Sequence, residues 1–130
     1  MDKMSFDELV TFIYVENLNR SADFYSRVLR LKLRLDQGTC RIYQAAPGAC
    51  LGICIREGGA AGKGGAKKGV ILTLVTDEVD EWYERLSGEG VSVLNPPRVN
   101  DKYQIYHFFL EDPDGYKLEV QKFLDPAWSA

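Results

Sequence analysis

The chain has 130 residues, 45% hydrophobic and 27% charged, an ordinary globular composition for one domain that buries roughly two-thirds of its unfolded surface. A formal net charge of -3 argues against a dedicated nucleic-acid surface, which needs a basic footprint. No apolar run reaches membrane-spanning length and Met1-Asp2-Lys3-Met4-Ser5 does not read as a signal peptide, so a cytoplasmic protein with Cys40, Cys50 and Cys54 as reduced thiols is expected.

Leu9 to Val15 alternates as a strand, with Val10, Phe12 and Tyr14 on one face and Thr11, Ile13 and Val15 on the other. Asn17 or Asn19 is placed to cap a helix whose buried stripe is Ala22, Phe24, Tyr25, Val28 and Leu29. Short strands are expected at Leu31 to Leu35, Cys40 to Ala45 and Ala49 to Arg56, separated by turns at Gln37-Gly38 and Pro47-Gly48. Gly58 to Gly69 is a low-complexity run of Gly, Ala and Lys that reads as a linker. Gly62-Lys63 lacks the earlier Gly and the following Ser/Thr of a phosphate loop, and Lys63, Lys67 and Lys68 read as solvated linker charges, with a clamp on an anionic ligand as the alternative.

The second half replays the first. Gly69 to Val75 reads as a strand, Asp77 as a helix cap, and Val79, Trp82, Tyr83 and Leu86 as a helical stripe closed by Gly88 and Gly90. Val91 to Leu94 is a short strand broken by Asn95-Pro96-Pro97. The last hairpin joins Tyr103–Glu111 to Tyr116–Lys122 through Asp112-Pro113-Asp114-Gly115, a turn with side-chain acceptors and a Gly free to take positive φ. Laying Val15 on Val75, and Leu51-Gly52-Ile53-Cys54 on Leu118-Glu119-Val120-Gln121, gives an α+β chain of two tandem βαβββ modules. Module one runs 8–57, the linker 58–68 and module two 69–124, in one domain of 1–130.

Each sheet then has a second face, away from its helix. Val10, Phe12, Tyr14, Cys50, Gly52 and Cys54 fall on one, and Val70, Leu72, Leu74, Lys117, Glu119 and Gln121 on the other. These faces are too apolar for water, so a trough lined by aromatics, thiols and a few polar groups is expected, within one chain or shared across a homodimer. Phe12, Tyr14, Tyr103 and Tyr106 are candidates for ligand stacking, while Phe24, Tyr25, Trp82 and Tyr83 read as core.

The stretch Val15-Glu16-Asn17-Leu18-Asn19-Arg20-Ser21-Ala22-Asp23-Phe24-Tyr25, with Asp112-Pro113-Asp114-Gly115-Tyr116-Lys117-Leu118-Glu119, resembles the vicinal-oxygen-chelate superfamily. That superfamily includes glyoxalase I, extradiol dioxygenases, fosfomycin-resistance enzymes and bleomycin-resistance proteins, and the resemblance spans Leu9 to Lys122. It implies metal ligands on the first and last strand of each module, at positions that fall here on Val10, Val70, Gly52 and Glu119. Three of these have no donor side chain, and one carboxylate does not hold a catalytic ion, so no metal and no cofactor are expected. A substitute zinc set of Glu119, His107 and Cys54 needs His107 to point inward, which strand parity near the Asp112 turn leaves open; a structural or solvent-facing His107 is the alternative. Cys50 and Cys54 offer thiols without a base placed beside them, so inert packing is the simpler reading.

The catalytic set is therefore unassigned, with Glu119 the one polar group at a family position and Lys117, Arg41 or a cationic ligand its expected partner. The expected ligand-binding residues are Phe12, Tyr14, Cys54, Leu72, Tyr106, His107, Glu119 and Gln121. The leading reading is a metal-independent small-molecule binder, similar to the drug-sequestering branch of the superfamily, with no nucleic-acid or membrane partner. The rivals are a divergent metal-dependent lyase, isomerase or dioxygenase, and a dimeric module whose trough is filled.

Overall fold

The computed structural model describes residues 4–55 and 69–129, and the expected linker 58–68, with Lys63, Lys67 and Lys68, lies outside the described residues. The chain divides into two compact units, Met1–Ala66 and Lys67–Ala130.

In the first unit, β1 (Leu9–Tyr14) leads to a helix, α1 (Leu18–Asp23), followed by β2 (Lys32–Asp36), β3 (Cys40–Ala46) and β4 (Ala49–Cys54). The sheet order is β1-β4-β3-β2, with β1 parallel to β4 and the other pairs antiparallel. Asn17 is the cap: its side chain accepts the Arg20 N–H at 2.9 Å, satisfying one orphan donor of the first turn. Past Asp23 the helix widens into a π-helical turn, Phe24–Val28, in which Leu29 N–H donates to Phe24 O at 3.0 Å. The wider turn is compatible with burial of both Phe24 and Tyr25, whose rings meet edge to face at 5.0 Å. They join Ala22, Val28 and Leu29, the rest of the predicted stripe, in a buried set with Ile13, Val15, Tyr43, Leu51 and Ile53. Each large apolar side chain so buried contributes about 1.5–3 kcal/mol.

Cys40 and Cys54 stand directly opposite in the β3–β4 register with Cα atoms 4.2 Å apart, and their sulfurs are bonded. This corrects the expectation of three reduced thiols. An odd cysteine count hid a cross-strand pair that only register reveals, and Cys50 alone is free and buried.

In the second unit, β5 (Leu72–Val75) leads to α2 (Val79–Gly88), then β6 (Ser92–Val93), β7 (Arg98–Asn100), β8 (Ile105–Glu111) and β9 (Lys117–Phe123), with a last 3-10 turn at Pro126–Ser129. The sheet runs β5-β9-β8-β6, and β7 also pairs with β8. The three-residue β7 is one strand more than the predicted module. Glu78, not Asp77, occupies the cap position, and its N–H bonds Thr76 Oγ1 at 3.1 Å. Val79 and Leu86 pack on Phe108, Leu110, Leu118 and Val120, and Tyr83 meets Phe108 edge-on at 5.5 Å. The β8–β9 turn forms as expected: Asp112 Oδ1 accepts the N–H groups of Asp114 and Tyr116 at 2.9 and 2.8 Å, and Gly115 takes φ 88°.

The two halves repeat with an offset different from the one the sequence suggests. Phe12 lies opposite Gly52 in the first sheet and Thr73 opposite Glu119 in the second, so Phe12 corresponds to Thr73 and Val15 to Thr76, not Val75. The two caps, Asn17 and Glu78, obey the same offset. A slip of one residue turns every side chain of a strand to the other face. Leu72 and Leu74 therefore share the helix side with Leu118 and Val120, while Thr73 joins Glu119.

Candidate functional site

On the face of the second sheet away from α2, a trough of about 760 Å³ is lined by residues of this unit alone. Its aromatic wall is Tyr103, Phe109 and Phe123, and its polar groups are Arg98, Asn100, His107, Glu119 and Gln121. The volume falls within the range of small-molecule pockets. Strand parity builds the floor: His107 sits opposite Gln121 and Phe109 opposite Glu119 in the β8–β9 pairing, so all four side chains emerge on one face.

Glu119 is 7% exposed and each of its oxygens has partners. Thr73 Oγ1 donates to Oε1 at 2.9 Å, and His107 Nδ1 lies 2.6 Å from Oε2. With its amide nitrogen turned to Glu119, Gln121 donates to Oε2 at 2.8 Å and to Oε1 at 3.1 Å. An ionised carboxylate accepts but does not donate, so Nδ1 carries the hydrogen and the second ring nitrogen faces away from Glu119. The partners expected from sequence are engaged elsewhere. Lys117 lies 4.3 Å from the Phe109 ring centroid, and Arg41 bonds Asn19 at 3.1 Å.

Of the eight expected ligand-binding residues, the trough gathers His107, Glu119 and Gln121. His107 points inward, against the solvent-facing alternative, because β8 alternates without interruption from Ile105 to Glu111. Leu72 is on the helix side, for the offset given above. Tyr106 also faces α2, where its hydroxyl donates to Asp80 Oδ1 at 2.5 Å and that bond to a carboxylate holds the phenol above its ordinary pKa. Phe12, Tyr14 and Cys54 belong to the first sheet, where Cys54 is bonded to Cys40. Phe12 lies across Gly52: a Cβ on that glycine would fall on the Phe12 ring.

Sequence reasoning passed over Thr73, Arg98, Asn100, Phe109 and Phe123. Phe109 was readable as two residues on from an inward His107, and Thr73 needed the corrected offset. Arg98 and Asn100 sit on a strand too short to carry a pattern, directly after a Pro-Pro breaker.

The resemblance implies a divalent ion, and the donors test it. His107 and Glu119 converge, but on each other, and the neighbouring first-strand position that lines the trough is Ile71. Among the described residues no three His, Cys, Asp or Glu side chains are grouped to hold an ion. The residues present do not fit the superfamily's usual centre.

These features place the chain in a class. The family model of the Glyoxalase/Bleomycin resistance protein/Dioxygenase superfamily matches residues 6–120, and the chain belongs to that superfamily. Among solved structures it is similar to a glyoxalase/bleomycin resistance protein/dioxygenase from Nocardioides, with TM-score 0.76 and 19% identity over 97% of this chain and 88% of that one. It is similar also to lactoylglutathione lyase from Agrobacterium tumefaciens, with TM-score 0.70 and 21% identity over 88% and 91% of the two chains. A third is TioX from Micromonospora sp. ML1, with TM-score 0.73 and 17% identity over 90% and 98%. Likeness at this level of identity concerns the fold.

Proposed function

We propose that this protein binds a small organic molecule in the trough beside His107 without using a metal ion. The observation that carries the reading is the commitment of Glu119: with Thr73, His107 and Gln121 on its two oxygens, it acts as a structural acceptor instead of an open ligand for a cation. The aromatic wall of Tyr103, Phe109 and Phe123 supplies apolar contact, and the polar floor supplies orientation. A homodimer is part of the proposal, to be checked by sedimentation. The cytoplasmic assignment loses one of its supports with the Cys40–Cys54 bond.

The rival is a divergent metal-dependent lyase or dioxygenase. Elemental analysis of untagged protein, together with an NMR screen of small organic compounds, separates the two. The expected result is ligand-induced shifts at His107, Phe109 and Gln121 with no stoichiometric zinc, nickel or iron. Stoichiometric metal whose removal abolishes an activity overturns the proposal, and so does a trough that binds no compound of drug size.

A further inference from the structure

The charge arrangement of the trough, taken with the binding reading above on which this rests, narrows the ligand to a chemical class. Glu119 is the obvious attraction for a cation, yet its oxygens are occupied by donors from three different residues on β5, β8 and β9. Lys117, on the same face of β9, is held over Phe109.

Arg98 is different. It stands directly opposite His107 in the β7–β8 register, which brings the two Cβ atoms to about 5 Å. Its side chain is exposed, lines the trough, and has no ion-pair partner among the described residues. The charged or titratable groups around it are His107 on β8, Glu119 on β9, Tyr103 of the following turn and, beyond Phe109, the register pair Glu111 and Lys117. A guanidinium with a free planar fork matches a carboxylate in geometry as well as charge.

His107 adds a second, directional requirement. Glu119 engages the hydrogen on Nδ1, so when the ring is neutral its lone pair is at Nε2. The ring is 7% exposed, it lines the trough, and Nε2 has no hydrogen-bond partner among the described residues. The nitrogen is not sealed in: it opens onto the trough, where a donor from the ligand or from water can meet it.

We propose that the trough takes a planar aromatic carboxylate bearing a hydroxyl donor. The carboxylate seats on Arg98, the hydroxyl donates to His107 Nε2, and the ring lies among Tyr103, Phe109 and Phe123, the last of these stacked on Trp128 at 3.9 Å. Glu119 is a positioning residue: it holds the imidazole tautomer and does not touch the ligand.

The test is NMR titration of the full chain with meta-hydroxybenzoate, meta-methoxybenzoate and meta-hydroxybenzamide. The hydroxy acid is expected to bind about tenfold or more tightly than either analogue, shifting His107 and Phe109 signals, with the Nε2 resonance moving as its lone pair is engaged. Arg98→Gln, a surface change, should remove the preference for the acid over the amide while keeping the weaker aromatic binding. His107→Gln, with its fold checked by dispersion of the amide spectrum, should remove the preference for hydroxyl over methoxy. Equal affinity for all three probes, or unchanged selectivity in Arg98→Gln, overturns this assignment while leaving small-molecule binding intact. If none of the three shifts the trough while other compounds of the screen do, the ligand class is wrong. If nothing binds, the proposed function fails with it.

Discussion

His107 Nδ1 lies 2.6 Å from Glu119 Oε2, and both residues are buried. The pair sits at the junction of β8 and β9 and ties them to β5 through Thr73. Replacing Glu119 by Gln puts an amide nitrogen where donors already point, so the network loses an acceptor and gains a misplaced donor. Glu119→Gln is expected to cost about 2–3 kcal/mol in urea unfolding, and Thr73→Val about 1 kcal/mol. A double-mutant cycle between Glu119→Gln and His107→Gln should show coupling above about 0.5 kcal/mol; additive losses would mean that the two do not act together.

Gly52 tests the opposite kind of constraint. Gly52→Ala is expected to destabilise by about 1–2 kcal/mol, because the new methyl occupies the place of the Phe12 ring. Phe12 is 54% exposed, so truncating it is cheap and opens the same space. Phe12→Ala should therefore recover most of the loss in the Gly52→Ala background, as read by thermal denaturation.

Tyr106 gives a pH prediction. Its folded pKa is raised by the hydrogen bond to the Asp80 carboxylate, with burial and the charge of Asp80 adding to it. A raised pKa means that the contribution is complete below the unfolded value, near 10, and is lost as pH rises through the folded one. Spectrophotometric titration should show a late-ionising phenol that disappears in Tyr106→Phe. The alkaline limb of the stability profile should flatten in the same variant.

The sulfur chemistry is checked by counting. Unfolded protein that has not been reduced should expose one thiol, Cys50, and reduced protein three. Cys54→Ser should lower stability by about 3 kcal/mol, the scale expected when a cross-link 14 residues apart is removed. Three reactive thiols before reduction would contradict the pairing.

Much of the fold is legible because the signals are local. Asn17 before an apolar stripe, Gly38 and Gly48 at turns, and Asp112 to Gly115 all act within a few residues of themselves, and each does what its chemistry dictates. The site is less legible because it depends on register. Leu72 and Tyr106 are apolar or aromatic enough for either face, and a helix-side position is decided by which residue stands opposite, not by composition. Cys40 and Cys54 are joined for the same reason, by a pairing of β3 with β4 that no count discloses. Glu119 itself is found from the motif, but its neighbours Thr73 and Arg98 come from strands whose facing the sequence leaves open.

The unequal spacing of the two halves has a practical consequence for protein engineering. An attempt to graft the relatives' ion-holding centre onto this scaffold by matching the halves by sequence would install a histidine at 70, out of phase with Glu119. The side chain in phase with the carboxylate, and already at the trough wall, belongs to Ile71. Ile71→His, paired with a change at Thr73 that loosens Glu119, is the shorter route to a chelating scaffold.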